Sequence, residues 1–401
     1  MLVSKNLIQC QLDAGVCTNQ LVFDFSLRRG KRPDLVFISV PVDLKNPVLA
    51  RDSPLPLYPH VKMIGVPVKK GQPKDGTQFG PKLIRDTDIV QSLQSIGVKL
   101  EDLGDLLLEV DNDAEEPRVF GMINAFSFID TTCKIAKRVE ELLKEDEIKR
   151  SKKHGSRPPP LILIGGDHSM ATGSLLGHRR AEPDACVIWV DAHADLNTPL
   201  TSSSGNTHGM PVAFVMNELQ EEIPYMKELE SIDPCLNAAD IVYIGLRDLD
   251  PHEVYDLRKN NIKHFSVTDI DKMGIESVIQ QAIQAVNPRL ERPIHLSFDI
   301  DAMDPSIAPS TGTPVPGGLS MREGLRICEE IYATGKLSVM DLVELNPLLG
   351  TSADVQLTQS TAVSLLKACL GTRRCGHLPF KVHSLADEGI PSRADRNKLA
   401  K

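Results

Sequence analysis

The stretch Val187-Ile-Trp-Val-Asp-Ala-His-Ala-Asp195 decides the fold, because a short apolar run in it ends directly on a cluster of ionisable residues. The continuously apolar run 187–190 fits a strand that is buried on both faces, as in a parallel sheet. After it, Asp191, His193 and Asp195 alternate with small alanines, and alternate side chains of an extended segment share a face. All three side chains can therefore point at one place in space.

Similar apolar runs lie on either side of this stretch, at residues 161–164, 241–244, 294–298 and 339–345. Segments long enough for helices separate them, for example residues 274–286 and 321–334. An earlier run from Val61 leads through a Gly/Pro-rich turn into an amphipathic stretch near Lys82, which predicts a strand, a loop and a helix. Short buried strands that alternate with helices predict a three-layer α/β/α fold with a mostly parallel central sheet. Since periodicity alone cannot separate such short runs from buried helix segments, the flanking residues carry this prediction.

The chain divides by its pattern into three parts. Residues 1–60 have no sustained periodicity and end in Pro-rich sequence, so we expect an irregular N-terminal extension there. The alternating runs predict one folded domain over residues 61–377, followed by a C-terminal tail over residues 378–401. Within the domain, the charge-rich residues 144–153 and the prolines at 158–160 predict a surface loop.

The composition is that of an ordinary globular enzyme. Hydrophobic residues make up 41% and charged residues 25% of the chain, which argues against a disordered or fibrous protein. A net charge of -9 argues against a nucleic-acid partner, because phosphate backbones demand clustered Lys and Arg. No apolar run approaches the ~20 residues of a membrane span, and the eight scattered cysteines fit reduced thiols. We therefore expect a cytoplasmic protein, with mitochondria as the alternative location.

Acidic residues follow almost every apolar run, or, in the case of Glu344, lie near the end of the run. They are Asp167, Asp191, Asp248, Asp250, Asp299 and Glu344. In open α/β sheets, ligands bind in the crevice at the carboxyl ends of the strands. The sequence therefore predicts that these carboxylates line one crevice.

Two further motifs add metal-binding groups to the opening stretch. Asp299-Ile-Asp301 repeats the alternation at another strand end, and Gly165-Gly-Asp-His168 supplies a histidine. Alone, each would more often be a capping or turn motif. Together with Asp191, His193 and Asp195 they place four carboxylates near each other, and each pair about 4 Å apart would repel by about 4 kcal/mol at moderate dielectric. Two divalent cations would remove that repulsion and could activate a shared water, so the set predicts a two-metal hydrolase.

The donor types indicate which metal would bind. Oxygen-rich ligation with two imidazoles suits a cation such as manganese, whereas the lack of thiolates in the set disfavours a structural zinc site. The predicted metal ligands are His168, Asp191, His193, Asp195, Asp299 and Asp301.

Three motifs resemble those of the arginase (ureohydrolase) family. They read Gly165-Gly-Asp-His-Ser169, Asp191-Ala-His-Ala-Asp195 and Ser297-Phe-Asp-Ile-Asp-Ala-Met-Asp-Pro305, and the likeness runs from about residue 61 to residue 371. The resemblance implies an arginase/deacetylase-like fold with two Mn²⁺ ions per subunit. One ion would be held by His168, Asp191, Asp195 and Asp299, and the other by Asp191, His193, Asp299 and Asp301. Asp191 and Asp299 would then bridge the two ions.

The segment after the second motif, N-T-P-L-T-S-S-S-G-N-T-H-G at 197–209, looks like the arginase version and not the agmatinase version. The resemblance places Asn197 and Ser204 at the α-carboxylate of the substrate L-arginine. It places Asp250 and Glu253 at the α-ammonium group. Without the resemblance, the segment would be interpreted as a polar loop.

The resemblance also assigns the reaction. His208 corresponds to the family's proton-shuttling histidine, Glu344 to the carboxylate that grips the guanidinium, and Thr313 to a threonine near it. The implied reaction is hydrolysis of L-arginine to L-ornithine and urea by a dimanganese-bridged hydroxide, with Asp195 steering a proton. Such an enzyme belongs to arginine metabolism, as in the urea cycle. The alternatives are an agmatinase or another guanidino-substrate ureohydrolase, and, from a different class, a non-catalytic arginase-fold interaction protein.

A homotrimer is the expected assembly, because family members are commonly trimers. Arg322-Glu323 together with Glu329 resembles the salt-bridging segment that they use. The matching position near Cys375 is not arginine, although Arg373 and Arg374 lie close by.

Overall fold

The computed structural model describes residues 56–108, 116–151, 158–374 and 376, together with three strands near the N-terminus. These strands, Leu7–Asp13 (β1), Val16–Phe23 (β2) and Val36–Ser39 (β3), form an antiparallel sheet in the order β1-β2-β3. The prediction that residues 1–60 are irregular does not hold for them. Their alternation is too short and imperfect to give a sustained period, although residues such as Val, Ile and Phe favour extended backbone.

An eight-stranded sheet forms the centre of the fold, in the order β5-β4-β6-β11-β10-β7-β8-β9. Every pair of neighbouring strands in it is parallel. Its strands are His60–Val66 (β4), Lys99–Asp105 (β5), Leu161–Gly165 (β6), Cys186–Val190 (β7), Ile241–Leu246 (β8), Lys263–Ser266 (β9), Ile294–Asp299 (β10) and Leu337–Val343 (β11). The α/β fold class is therefore confirmed, and each apolar run that predicted a strand forms one.

Helices cover both faces of this sheet, which makes it the middle of three layers. They are Gly80–Arg85 (α1), Ile89–Ser95 (α2), Ala125–Ser151 (α3), Ala171–Ala181 (α4), Pro211–Val215 (α5), Pro251–Lys259 (α6), Val267–Met273 (α7), Ile275–Val286 (α8), Met321–Thr334 (α9) and Ser352–Cys369 (α10). Helices α3 to α6 pack on one face, and α1, α2 and α7 to α10 pack on the other. The helices predicted near Lys82, at 274–286 and at 321–334 are confirmed.

Strand β6 shows why the central strands are apolar throughout. Ile162 and Ile164 pack with the helices on one face, and Leu161 and Leu163 pack with those on the other. All four are buried. Burying such a side chain contributes about 1.5–3 kcal/mol, so a central strand needs apolar residues at every position.

Strands β5 and β9 at the two edges of the sheet lie outside the runs that predicted strands. Strand β5 reads K-L-E-D-L-G-D and is largely exposed, and the short β9 begins at the exposed Lys263. An edge strand has one neighbour, and charged residues there prevent pairing with other chains. Such strands carry no apolar run.

Helix α3 extends into the segment predicted as a loop, and its last residue is Ser151. The residues from Lys144 to Ser151 are charged but include strong helix formers such as Lys, Glu and Arg, which explains the error. Helix α3 also packs closely on α4, where Gly177 lies against the backbone of Ala136. None of the helices in the described ranges combines the length and the apolar character that a bilayer crossing requires.

Candidate metal centre

The candidate site lies at the carboxyl ends of four strands that are neighbours in the centre of the sheet, in the order β6-β11-β10-β7. His168 follows β6 and Asp191 follows β7. Asp299 is the last residue of β10, and Glu344 follows β11. Since parallel strands end at one edge of a sheet, residues that are far apart in sequence meet here.

The first group of metal-binding atoms surrounds Nδ1 of His168. This nitrogen lies 3.1 Å from Oδ2 of Asp191, 3.0 Å from Oδ2 of Asp195 and 3.1 Å from Oδ2 of Asp299. It is buried and makes no hydrogen bond of acceptable geometry, although three carboxylates lie around it. Ligands about 2.1 Å from one octahedral cation lie about 3 Å from each other. The four atoms are therefore spaced as ligands of a shared cation.

The second group surrounds Nδ1 of His193. This nitrogen lies 3.4 Å from Oδ1 of Asp191 and 3.3 Å from Oδ2 of Asp301. Asp191 thus presents one oxygen to each group, which is the geometry of a bridging carboxylate. Asp299 presents Oδ2 to the first group, while its Oδ1 accepts a hydrogen bond of 2.8 Å from the backbone N–H of Asp301.

The backbone that aims Asp195 is not the extended strand on which the alternation argument relied. Strand β7 ends at Val190, and Asp195 adopts a left-handed conformation with φ of 52°. Glu344, directly after β11, has φ of 65°. Such conformations cost non-glycine residues on the order of 1–3 kcal/mol and cluster at functional sites. The packing around both residues holds their side chains in the crevice.

The carboxylates of the site lie in a buried environment that opposes their charge. Burial raises the pKa of Asp195 to about 6 and raises the pKa of Asp299 well above its usual range. Burial acts in the same direction on Asp191, but the imidazoles of His168 and His193 outweigh it and hold the pKa of Asp191 below its usual range. The chain's own charges therefore do not stabilise all the carboxylates in ionised form, and bound cations would supply the missing positive charge.

The donor set fits hard or borderline divalent cations such as Mn²⁺. It consists of carboxylate oxygens and two imidazole nitrogens, and no described cysteine joins it. Nδ1 of His168 is buried and free of hydrogen-bond partners, and Nε2 of the same ring contacts Oγ of Ser297 at 2.9 Å, so Nδ1 is the ring nitrogen that could bind a metal. Residues 168, 191, 193, 195, 299 and 301 are thus brought together as a cluster of donors that could bind metal.

Glu344 lies beside this set and is 1% exposed. Its Oε1 accepts a hydrogen bond of 2.8 Å from the backbone N–H of His168 and lies 3.3 Å from Nδ1 of His208. Its Oε2 accepts a hydrogen bond from Nε2 of Gln72. The structure therefore joins Glu344 and His208, which the sequence placed in related roles, directly to each other.

Asn197 and Asp250 also meet in the structure. The side-chain amide of Asn197 donates to Oδ2 of Asp250 at 2.9 Å, and its oxygen accepts from the hydroxyl of Thr201 at 3.1 Å. Glu253 accepts backbone hydrogen bonds from Leu196 at 3.0 Å and from Asp250 at 2.9 Å. Glu253 therefore caps helix α6 and ties the segment after Asp195 to it. Burial raises the pKa of Glu253 to about 7.

Ser204 and Thr313 have different surroundings. The exposed Ser204 accepts a hydrogen bond of 3.2 Å at Oγ from the backbone N–H of Asn206, and its carbonyl accepts one of 3.3 Å from Arg118. Thr313 donates from its hydroxyl to Oδ2 of Asp301 at 2.8 Å. Thr313 thus contacts a candidate metal ligand, whereas Ser204 lies on an exposed loop.

The sequence did not single out two residues that support the site. Trp189 stacks on the ring of His168 with centroids 4.2 Å apart, and its Nε1–H donates to Oδ2 of Asp191 at 3.0 Å. Gln72 binds Glu344. Trp189 lay within a run interpreted only as a strand, and Gln72 lay in a turn. The signal available for Trp189 was its indole N–H, a polar group in a predicted buried strand, two residues before the predicted ligand Asp191.

Comparisons with known proteins agree with this geometry. A family model described as "Arginase family" matches residues 59–371. Arginase-1 of Sus scrofa is 46% identical over 323 residues, which cover 80% of this chain and 96% of that protein. "Arginase-2, mitochondrial" of Homo sapiens is 44% identical, over 80% of this chain and 87% of that protein.

A solved structure is similar as well. The crystal structure of Entamoeba histolytica arginase in complex with L-ornithine matches with a TM-score of 0.67 and 29% identity, covering 79% of this chain and 99% of that one. With a family match over residues 59–371 and a relative 46% identical over 80% of this chain, the chain belongs to the arginase family.

Proposed function

We propose that this protein hydrolyses L-arginine to L-ornithine and urea with two bound Mn²⁺ ions. The observation that carries the proposal is the buried carboxylate of Glu344, which lies next to the two groups of metal-binding atoms and in contact with His208. This arrangement offers an acceptor for a guanidinium, a site for a nucleophile and a proton carrier in one crevice. The family match and the relatives named arginase support the same substrate.

The metal ions would be held by the two groups described above. His168, Asp195 and one oxygen of Asp191 serve the first site, and His193, Asp301 and the other oxygen of Asp191 serve the second. Asp299 completes the first site, and we assign it the bridging role beside Asp191 by family resemblance. Two such cations supply hydroxide at neutral pH by lowering the pKa of a shared water towards 7.

Glu344 would bind the substrate guanidinium. A planar guanidinium and a carboxylate form paired, charge-assisted hydrogen bonds, which fix the orientation of the group to be attacked. The backbone N–H of His168 and the amide of Gln72 already orient both carboxylate oxygens. Glu344 is therefore positioned before substrate binds.

His208 would carry a proton to the departing amine of ornithine. Burial acts to lower the pKa of His208, but Glu344 outweighs burial and raises this pKa to about 9. The imidazole is therefore protonated at neutral pH in the arrangement described, and it can act as a general acid. Asp195, whose Oδ2 faces the first metal site, would steer a proton of the tetrahedral intermediate, a role that we assign by family resemblance.

The amino-acid end of the substrate would meet the residues of the 197–204 loop and of helix α6. Asn197 and Ser204 offer polar groups to the α-carboxylate, and Asp250 offers an acceptor to the α-ammonium. Glu253 would stabilise this region by accepting hydrogen bonds from the backbone N–H groups of Leu196 and Asp250. Thr313 would act near the guanidinium end, where it holds Asp301.

Urea release from L-arginine by the Mn²⁺-loaded protein tests the proposal, with agmatine as the paired substrate. Agmatine lacks the α-carboxylate, so we expect turnover of arginine to exceed that of agmatine. Faster turnover of agmatine would identify an agmatinase. No urea from either substrate, with two Mn²⁺ ions bound, would contradict the enzymatic proposal.

The assembly that we propose is a homotrimer. Glu329, in the segment that resembles the family's contact region, accepts hydrogen bonds of 2.8 and 2.7 Å from Arg374 of the same chain. We propose that this ion pair shapes the surface at which Arg322 and Glu323 meet a neighbouring subunit. Native mass spectrometry checks the proposal: a mass of three chains agrees with it, and a single chain at micromolar concentration contradicts it.

We further propose a cytoplasmic location and a place in urea-cycle arginine metabolism. One relative is named as mitochondrial, so the two locations need a direct comparison. Imaging of the full chain fused at its C-terminus to a fluorescent protein distinguishes them. Fluorescence confined to mitochondria would contradict the cytoplasmic proposal.

A further inference from the structure

Strand β10 has a polar face that is buried inside the fold. It reads I-H-L-S-F-D, in which His295, Ser297 and Asp299 alternate with apolar residues that pack on the opposite face. Alternation normally marks a strand with one face in water. Here all three polar residues are at most 3% exposed. Buried polar groups are costly unless they find partners, so the partners of this face indicate its role.

A chain of hydrogen bonds leads along this face from the metal centre. Nε2 of His168 contacts Oγ of Ser297 at 2.9 Å, and Ser297 donates to Oδ2 of Asp341 at 3.4 Å. Ser297 and Asp341 are register partners of neighbouring strands. The same Oδ2 accepts from the hydroxyl of Ser174 at 2.6 Å and contacts Nε2 of His295 at 2.8 Å. Asp341 is therefore the shared acceptor of the hydrogen bonds in this region.

Two histidines extend this series of hydrogen bonds to the surface of the protein. Nδ1 of His295 lies 3.1 Å from Nδ1 of His178, and Nε2 of His178 lies 2.9 Å from Oε2 of Glu182. His178 and His295 are fully buried, whereas the side chain of Glu182, at the end of helix α4, is 29% exposed. Hydrogen bonds thus connect a candidate metal ligand to the opposite end of the sheet.

The hydrogen-bonding partners fix the number of protons on the two imidazoles. Each Nε2 faces a carboxylate oxygen and must carry hydrogen to donate to it. The two Nδ1 atoms face each other, so one carries hydrogen and the other offers a lone pair. With both carboxylates ionised, His178 and His295 together hold one proton more than two neutral imidazoles would. The pair therefore carries a single positive charge.

We propose that His178 and His295 share this proton, and that their charge balances the carboxylate of Asp341, which orients Ser297 behind the metal ligand His168. The inference rests on the two-metal site of the proposed function. With its hydroxyl hydrogen directed to Asp341, Ser297 accepts from Nε2–H of His168, and Nδ1 of His168 presents its lone pair to the cation. Hydrogen-bonding partners that orient a metal-binding histidine in this way increase the affinity of the site for the metal. Asp341, His295 and His178 are thus positioning residues for the metal site.

The pair is asymmetric. Burial lowers the pKa of His178, which favours the arrangement with Nδ1 of His178 as the acceptor of the central hydrogen bond. In this arrangement His295 donates from Nδ1 to His178, and His178 donates from Nε2 to Glu182. If the proton moves to His178, the direction of the central hydrogen bond reverses and no other bond is lost.

Binding of Mn²⁺ tests the positioning role without a measurement of turnover. Free Mn²⁺ gives an electron paramagnetic resonance signal that is lost on binding, so titration gives Kd. Asp341→Asn keeps a carbonyl oxygen for the serines and His295 but removes the charge. We expect Kd to rise about tenfold or more in Asp341→Asn, as for other partners of metal-binding histidines, and to rise less in His178→Gln.

The matched control is His264→Gln. His264 is a partly buried histidine outside this series of hydrogen bonds, and its Nδ1 contacts a backbone carbonyl. We expect its Kd to equal that of the wild type. Circular dichroism on the metal-free variants shows whether each is folded. Wild-type Kd in both folded Asp341→Asn and folded His178→Gln would overturn the positioning role. A wild-type protein that binds no Mn²⁺ would instead contradict the proposed function.

Nuclear magnetic resonance of metal-free protein labelled with ¹⁵N-histidine tests the shared proton on its own, whatever the variants do. His178→Gln and His295→Gln assign the signals. We expect both Nε2 atoms to be protonated and the two Nδ1 atoms to share one hydrogen. Two neutral imidazoles next to a protonated carboxyl group would overturn the assignment.

Discussion

Nδ1 of His208 lies 3.3 Å from Oε1 of Glu344, so the proposed proton carrier contacts the proposed guanidinium acceptor. The arriving guanidinium would therefore compete with the imidazolium for the same carboxylate oxygen. Since both are cations, binding of substrate would weaken the interaction by which Glu344 stabilises the protonated form of His208. The contact links occupation of the site to the release of a proton.

The first prediction concerns the titration of His208 in metal-free protein. Glu344 raises the pKa of His208 to about 9 against the effect of burial. Glu344→Gln removes the negative charge, so we expect the pKa of His208 to fall by about one unit or more. Histidine resonances followed through a pH titration measure the shift. An unchanged pKa would show that another group holds the proton.

The same contact predicts how stability depends on pH. A histidine in the unfolded chain has a pKa of about 6.5, below the folded value of about 9. The stabilisation is therefore complete below pH about 6.5 and is lost as pH rises to about 9. We expect urea midpoints of metal-free wild type to fall across this window, and those of Glu344→Gln to fall less. Parallel curves for the two proteins would contradict the prediction.

The second prediction separates proton transfer from metal binding. His208→Asn keeps a polar side chain of similar reach but cannot carry a proton at neutral pH. We expect kcat for arginine to fall about 10²–10⁴-fold, with two Mn²⁺ ions still bound. Metal analysis of the same preparation provides the control. An equal loss of bound Mn²⁺ would assign His208 to the metal site instead.

The third prediction uses the two oxygens of Asp191. Because they serve both groups of metal-binding atoms, Asp191→Asn should weaken both sites, whereas Asp301→Asn should weaken the second alone. After dialysis against dilute Mn²⁺, we expect metal analysis to find fewer ions in Asp191→Asn than in Asp301→Asn. The prediction fails if both variants retain the same number.

The fourth prediction concerns the packing of helices α3 and α4. A Cβ added at Gly177 would lie 2.4 Å from the backbone carbonyl oxygen of Ala136, which cannot move without shifting the helix. Although alanine favours a helix by about 1 kcal/mol, the overlap costs about 1–3 kcal/mol, so we expect Gly177→Ala to destabilise the protein. Urea unfolding measures the change.

Gly324→Ala in helix α9 is the matched control. There the added Cβ would lie 2.7 Å from the end of the flexible Met303 side chain, which can move aside. We expect its stability to equal or exceed that of the wild type. If Gly177→Ala is no less stable than Gly324→Ala, the close approach of α3 and α4 does not require glycine.

The sequence predicted the centre of the fold because each central strand must be apolar on both faces. The same logic missed β5 and β9, whose positions at the edges need no such run. It also predicted the motifs around Asp191 and Asp299, since three ionisable residues on one face of a segment have few structural uses and Asp299-Ile-Asp301 repeats their alternation. The local pattern of residues therefore indicates both the central strands and the ligand motifs at their ends.

Contacts between distant segments were not predictable in this way. The pairing of His178 with His295 and that of Gln72 with Glu344 join residues more than a hundred positions apart. Each of these residues alone fits an ordinary helix, strand or turn. The left-handed backbone of Asp195 was missed too, because the packing around the crevice, and not local preference, imposes it.

The strand order β6-β11-β10-β7 sets a limit on when the metal centre can exist. Strand β11 is the last of these to leave the ribosome, yet it inserts between β6, which carries His168, and β10, which carries Asp299. A growing chain that stops before Leu337 thus lacks the strand that joins β6 to β10 and brings His168 and Asp299 together. Binding of metal by the complete set of donors, which includes His168, would therefore follow synthesis of β11, and such binding would report on chains whose sheet is complete.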